Sequence, residues 1–550
     1  MTEKRLPIIL IAITMLFAVL FVALGALPAQ AGVDTAAAEI EVVASGLANP
    51  RGLAFGPDGA LYIAEAGVGG EGACIEGPEG EVCYGETGVI SKVILDQTGR
   101  AAALEPVVSG LSSLGGKDTG DSAIGPSDVA FNDAGDLFVL MGLGADPALR
   151  DPQGPLGAAG INFGQLVAVD DQGKWRNMVD IAAYEAANNP DGAQVDSNPF
   201  ALVSVGGGFK VVDAGGNDLL DVQPGYFTWL PVVTSQNGSL LTTAGFNAAQ
   251  AAAAAQISTT AVFPARMVEF PPGSGEMIPM DAVPTAVEMG PDGAYYVSQL
   301  TGFPFPVGGA NIYRVVPGEA PQVYRDGFTN VLDLAFGADG SLYVLEMAKD
   351  SLLAEPPPVG QIIQVKPDGT RTVIASEGLI APVDLEIGPD QALYVANFGP
   401  VANQGQVVRI TLPQSTVTIP AARDNTLYES ESGALSNGAG QHLFAGLTAA
   451  KTGNLARRGV IAFDLDGALP EGATILSVEL ELNMSRSISG DQAVALHELQ
   501  RDWGEGASDA AGEEGAGANA STGDATWLHT FFNSDTWSAA GGDFNPTASA

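Results

Sequence analysis

A chain of 550 residues with 64 Asp and Glu against 23 Lys and Arg has a formal charge of −41, which disfavours nucleic acid and anionic lipid as partners. Only 16% of its residues are charged, so the imbalance is a shortage of basic side chains, as suits a soluble surface in a saline or calcium-rich exterior. Two cysteines are too few for a thiolate-only metal centre, and the length exceeds one ordinary domain.

At the N-terminus Lys4 and Arg5 precede an apolar run from Leu6 to Leu27, followed by the small residues of Ala29-Gln30-Ala31. Residues 1–31 therefore read as a signal peptide cleaved after Ala31. The run is also long enough to span a bilayer, so an uncleaved anchor is the alternative. Either reading places the body of the protein outside the cytoplasm.

From Asn49 onward one phrase recurs six times: NPRGLAFGPDGALYIAE at Asn49, GPSDVAFNDAGDLFVLM at Gly125, NPFALVSVGGGFKVVD at Asn198, VPTAVEMGPDGAYYVSQ at Val283, NVLDLAFGADGSLYVLE at Asn330 and APVDLEIGPDQALYVAN at Ala381. Each copy is an alternating apolar run, a Gly/Asp turn and a second run, which predicts a β-hairpin. Third strands follow at Gly88, Gly164, Asn311, Gly360 and Gly405, and only the third unit lacks a clean one. Six such units predict an all-β, six-bladed propeller over residues 39–413. The stretch Ile40–Leu47 is similar to Thr372–Leu379, the fourth strand before the last hairpin. The first strand of the mature chain is therefore expected to complete the last blade and close the ring.

Cys74 and Cys83 lie in a Gly/Glu-rich loop of the first blade. In an exported chain they predict one loop-stapling disulfide, with two free thiols as the alternative. Two inserts are expected to be helical: Asp180–Asn189, ended before Pro190, and the alanine-rich Asn247–Gln256. Such inserts emerge on one rim, where they hold a ligand or cap the ring.

All three histidines, His442, His497 and His529, lie beyond the propeller, and no GxSxG elbow or Walker loop is present. A histidine base is thereby excluded from the propeller, and metal-assisted hydrolysis with oxygen ligands is the remaining catalytic option. Asp128, Asp333 and Asp384 occupy one repeat position, two residues after the Pro50 equivalent, which a ring directs at its central channel. They are the candidate ligands for Ca²⁺; the alternative is that they bond backbone N–H groups and channel water. A second equivalent set, Glu65, Asp213, Glu346 and Asn397, ends the following strand and is a candidate ligand-binding set. Asp213-Ala214-Gly215-Gly216-Asn217-Asp218 is the densest polar cluster, a ligand site with Asn217 and Asp218 or a glycine-permitted loop.

The hairpins, the loop ending Cys83-Tyr84-Gly85, the segment Tyr184–Gly192, and Asp196–Phe200 followed by Val212–Asp218 together resemble the ScyD/ScyE family of exported propellers. The resemblance covers most of residues 39–413 and implies a propeller distantly similar to NHL-repeat and gluconolactonase-like proteins. The metal-ligand pattern of the latter is not reproduced around Arg51, Ser127 and Thr285.

After Pro413 the texture changes. Thr416–Tyr428, Arg458–Leu465, the alternating Val478–Leu482, Leu496–Leu499, Asp502–Gly506 and Asp524–His529 resemble, in that order, the DNRLRE-type carbohydrate-binding module, which implies a jelly-roll-like β-sandwich over residues 416–550. The signature C-terminal strand of that module is missing, so the domain is expected to be incomplete. Trp503, Trp527 and Trp537 are the candidate sugar-stacking residues, with a core role as the alternative.

Two functions follow as expectations. The first is a secreted, non-catalytic binding or scaffold protein, a monomer with a ligand-binding propeller rim and a C-terminal module that binds extracellular polysaccharide or envelope glycan. The second is a metal-dependent hydrolase or lactonase on the propeller, with Ca²⁺ as its one candidate cofactor and the module as its targeting device. Neither involves nucleic acid, or a membrane beyond the signal segment.

Overall fold

The computed structural model describes residues 33–35, 39–77, 80–96, 99–225, 256–354, 357–412, 415–448, 456–469, 475, 478–487 and 493–549. The signal segment and all of the alanine-rich insert except Gln256 lie outside the described residues. The chain divides into two compact units, residues 36–414, and residues 1–35 with 415–550.

The larger unit is a ring of six antiparallel sheets. Blade 1 is built on Pro50–Phe55, Leu61–Glu65, Gly80–Leu95 and Ala101–Gly116, blade 2 on Pro126–Phe131, Leu137–Met141, Gln165–Val169 and Trp175–Asp180. Blade 3 comprises Pro199–Val205, Gly208–Asp213, Asp218–Gln223 and Gln256–Val262, and blade 4 Pro284–Met289, Tyr295–Gln299, Ala310–Val315 and Gln322–Phe328. Blade 5 comprises Val331–Phe336, Leu342–Glu346, Gln361–Val365 and Arg371–Ala375. Blade 6 is Asp384–Ile387, Leu393–Asn397 and Gly405–Thr411, completed by Glu39–Leu47 from the start of the chain. Ile40 pairs with Ile410 and Val42 with Val408, so the expected closure is formed. The first strands of successive blades contact one another in an unbroken cycle that returns from blade 6 to blade 1.

Local chemistry explains the hairpins. In blades 1, 4 and 6 a turn aspartate accepts the N–H two residues on and the hydroxyl of the tyrosine four residues on: Asp58 from Ala60 and Tyr62, Asp292 from Ala294 and Tyr296, Asp390 from Ala392 and Tyr394. The aspartate fixes the turn, and Gly59 and Gly293 supply the positive φ it requires. The alternating apolar residues then fill the seams between blades. Leu61 and Ile63 pack with Tyr394 and Ala396, for example, all fully buried.

Blade 1 carries an extra strand, Cys74–Gly77, paired to the start of Gly80–Leu95, and Cys74 and Cys83 face each other there in a disulfide. The first insert forms a helix, Ile181–Asn188, capped by Asp180 accepting from Ala183 N–H at 2.8 Å and ended by Asn189 in the left-handed conformation. The third unit does have a third strand, Asp218–Gln223; the polar residues at its start hid it from an apolar pattern.

In the smaller unit Ala421–Tyr428 pairs with Ala456–Phe463, which also pairs with Gly446–Leu447. Leu427, Val460, Trp503, Ala525 and Trp537 form its core. Val478–Leu482 is in no strand, and Val478, Leu480 and Leu482 are exposed. Among the described residues, no helix is long and apolar enough to cross a membrane.

Candidate functional site

The central channel encloses about 750 Å³ and is lined by Asp128, Glu288, Asp333, Asp384 and Glu386, with no Lys, Arg or His among the described residues of its wall. The three aspartates come from the first strands of blades 2, 5 and 6, and all act in the same way. Asp128 accepts the N–H of Leu202 at 2.8 Å, Asp333 that of Leu385 at 2.7 Å, and Asp384 that of Leu53 at 2.9 Å. Each acceptor therefore ties one blade to the next. Asp128 and Asp333 use their second oxygens on the N–H of the following residue, at 2.7 and 2.8 Å.

This geometry corrects the expected calcium triad. The side chains approach the channel, but Asp128 and Asp333 give both oxygens to backbone amides and Asp384 gives one. Among the described residues no group of three or more His, Cys, Asp or Glu is arranged to hold a metal ion. Blade 1 has Gly52 at this position, and a Cβ there would overlap the Asp128 carboxylate.

Glu288 and Glu386 lie two residues further along the first strands of blades 4 and 6. Neither accepts a hydrogen bond from the described residues. Burial, and then the Asp333 charge, push the Glu288 carboxyl up to about 8. Burial raises Glu386 well above the usual carboxylate range, with the Glu288, Asp333 and Asp128 charges adding to it. The repeat position of these glutamates is visible in sequence, but only two copies carry an acid.

The second equivalent set is also structural. Glu65 accepts from Ala48 N–H at 2.7 Å and from the Ser91 hydroxyl at 2.5 Å; Glu346 accepts from Thr329 N–H and the Gln361 amide, both at 2.7 Å. Asn397 accepts from Ile380 N–H at 2.7 Å and donates to the Gly378 carbonyl. Asp213 accepts from the N–H groups of Asn198, Gly215 and Gly216 and from the Ser197 hydroxyl. Each side chain thus pins the segment entering its blade. For Glu65, Glu346 and Asn397 this replaces the expected ligand-binding role, because their polar atoms are used internally.

On the rim of blade 3 the situation differs. Asn217 donates to Asp191 at 3.1 Å and accepts from Val283 N–H at 2.9 Å, joining the insert to blade 4. Asp218, the partner of Asp213 across the strand pair, is 1% exposed, and neither of its carboxylate oxygens has a hydrogen-bond partner. Glu185, on the helix Ile181–Asn188, is 2% exposed with Oε1 equally unpartnered. Burial raises Asp218 well above its usual range, and the charges of Asp213, Glu185 and Asp191 raise it further. Glu185 is pushed up to about 7, by burial and then by Asp213, Asp191 and Asp196. Glu185 escaped the sequence reading because its insert was read for helix formation, not for the carboxyl it turns inward.

In the smaller unit Trp503 and Trp537 are buried, and the Trp537 indole donates to the Thr526 carbonyl at 2.9 Å. These two are core residues, which overturns their expected sugar-stacking role: a short domain needs their large apolar area inside. Trp527 is half-buried against the same core, with the Arg458 guanidinium 5.1 Å from its ring.

No family model matches the chain, and no curated protein matches it. Solved structures similar to it are propeller proteins. A streptogramin B lyase is 12% identical at a TM-score of 0.34, covering 68% of this chain and 98% of its own. The calcium-binding protein regucalcin from Agrobacterium tumefaciens is 11% identical at 0.34, with coverages of 68% and 93%. The soluble aldose sugar dehydrogenase of Escherichia coli is 14% identical at 0.26, with coverages of 68% and 99%. Likeness at these identities concerns the fold alone, which the strand order already defines.

Proposed function

We propose that the chain is a secreted, non-catalytic binding or scaffold protein, its propeller presenting a recognition rim and its C-terminal unit binding extracellular polysaccharide or envelope glycan. The observation that carries this reading is the use of Asp128, Asp333 and Asp384: the channel carboxylates placed for chemistry are spent on joining blades. The disulfide accords with an oxidising exterior, and the acidic surface accords with a monomer that avoids nucleic acid and membrane. The resemblance to ScyD/ScyE propellers and DNRLRE modules supports the same assignment, with Trp527 as the sugar-contacting aromatic.

The test is affinity electrophoresis of the full chain through gels containing extracellular polysaccharides, run beside a screen of lactones and esters with and without calcium. Retardation by a polysaccharide, weakened about tenfold or more in Trp527→Ala, is expected, with no turnover. Turnover of a lactone, or free migration in every gel, overturns the reading.

A further inference from the structure

The blade 3 rim holds buried acceptors that none of the described residues satisfies. Both oxygens of Asp218, Oε1 of Glu185, Oδ1 of Asp196 and Oδ1 of Asn189 are buried without a hydrogen-bond partner. Buried polar atoms in folded proteins are almost always paired, and leaving one unpaired costs about 1–3 kcal/mol, more for a charged group. Five such atoms within one insert and its adjoining strand turn are far above that norm.

All five are acceptors, and this identifies the missing partner by charge. The charged groups that raise Glu185 and Asp218 are all carboxylates, with no neutralising ammonium or guanidinium among the described residues. Shape places two of the carboxylates against one backbone point: a Cβ at Gly216 would lie 3.1 Å from Glu185 Oε2 and 3.5 Å from the Asp213 carboxyl carbon, so the glycine lets both pack closely on the turn. Asp213 is itself satisfied by three amides and a hydroxyl, which holds it still and fixes the wall against which the others turn.

We propose that this rim binds a divalent cation of the calcium type, with Asp218 and Glu185 as its anionic ligands and the amide oxygen of Asn189 and the carboxylate of Asp196 completing the oxygen set. Calcium accepts six to eight oxygens in flexible arrangements, so it suits carboxylates delivered by a helix, a loop and a strand end. Among the described residues no three carboxylates meet at ligand geometry as placed, so the proposed ion is what would draw Asp218 and Glu185 together. The ion joins the insert Ile181–Asn188 to the start of Asp218–Gln223, making the rim stiff enough to serve as a recognition surface. Its binding is independent of glycan binding by the smaller unit.

Calorimetric titration of the full chain with calcium chloride, after chelator treatment, tests the site, with melting curves recorded in parallel. One equivalent is expected to bind, with a rise in Tm, because a ligand selective for the native state raises stability. Asp218→Asn and Glu185→Gln should each weaken calcium binding about tenfold or more while circular dichroism stays native. The channel double variant Glu288→Gln/Glu386→Gln should bind calcium as the unaltered chain does. Absence of binding overturns the proposal. So does calcium binding that survives Asp218→Asn and Glu185→Gln, or that the channel variant abolishes.

Discussion

Replacing Glu288 with glutamine removes a charge that the channel disfavours, and the effect has a defined sign and pH window. Burial raises the carboxyl from 4.5 to about 8 in the folded protein, which corresponds to about 5 kcal/mol. That figure is a ceiling, because the side chain keeps partial contact with the open channel, and about 2 kcal/mol is the working expectation. Below the unfolded value both states hold the proton and nothing is lost. As pH rises from 4.5 the unfolded chain releases its proton while the folded one retains it, so stability falls until pH passes the folded value near 8. Glu288→Gln should therefore match the unaltered protein near pH 4.5 and exceed it above about 8, by roughly 2–3 °C in Tm for a unit of this size. Melting curves from pH about 5 to 9 in chelator measure the difference. Parallel curves for the two proteins would refute the placement of a desolvated, unpaired carboxylate in the channel.

Asp384→Ala deletes the acceptor for Leu53 N–H and should cost about 1–3 kcal/mol, whereas Asp384→Asn keeps an acceptor oxygen, removes a charge and should cost less; urea unfolding separates the two, and equal losses would deny the blade-to-blade role. Reducing the disulfide, or Cys74→Ser with Cys83→Ser, opens a short loop whose closure entropy corresponds to roughly 2–3 kcal/mol, to be read as a lower urea midpoint for the propeller.

The fold was legible because a propeller repeats its local rules. Pro-Asp-Gly in the turn, Tyr four residues after the aspartate and alternating Leu, Val and Ile in the strands each recur, so errors in one copy were corrected by the others. Closure was legible for the same reason, since Ile40–Leu47 shows the texture of a fourth strand. The site was legible only in position. Repeat register put Asp128, Asp333 and Asp384 at the channel, but whether a carboxylate there meets an ion or an amide depends on the neighbouring blade: Leu202, Leu385 and Leu53 present N–H groups that no pattern of side chains encodes. Tryptophan composition likewise failed to separate the core residues Trp503 and Trp537 from the half-buried Trp527, because burial in a small unit depends on pairings far apart in sequence.

The hub and the rim are built from the same residue types and reach opposite electrostatic outcomes. At the hub, acids stand at strand starts beside the backbone of the next blade, where free N–H groups are available, so Asp128, Asp333 and Asp384 are satisfied without any ion. At the rim of blade 3, Asp213 has already taken the free amides of Asn198, Gly215 and Gly216 together with the Ser197 hydroxyl. Asp218, five residues later, pairs with Asp213 across the strands with no donor to its carboxylate among the described residues, and the Glu185 charge acts on it from a helix whose own N–H groups are turned along its axis. Further donors there would have given the rim carboxylates the backbone partners that Asp128, Asp333 and Asp384 have at the hub. Among the described residues no such donors stand there, and the proposed cation is the partner that these oxygens lack.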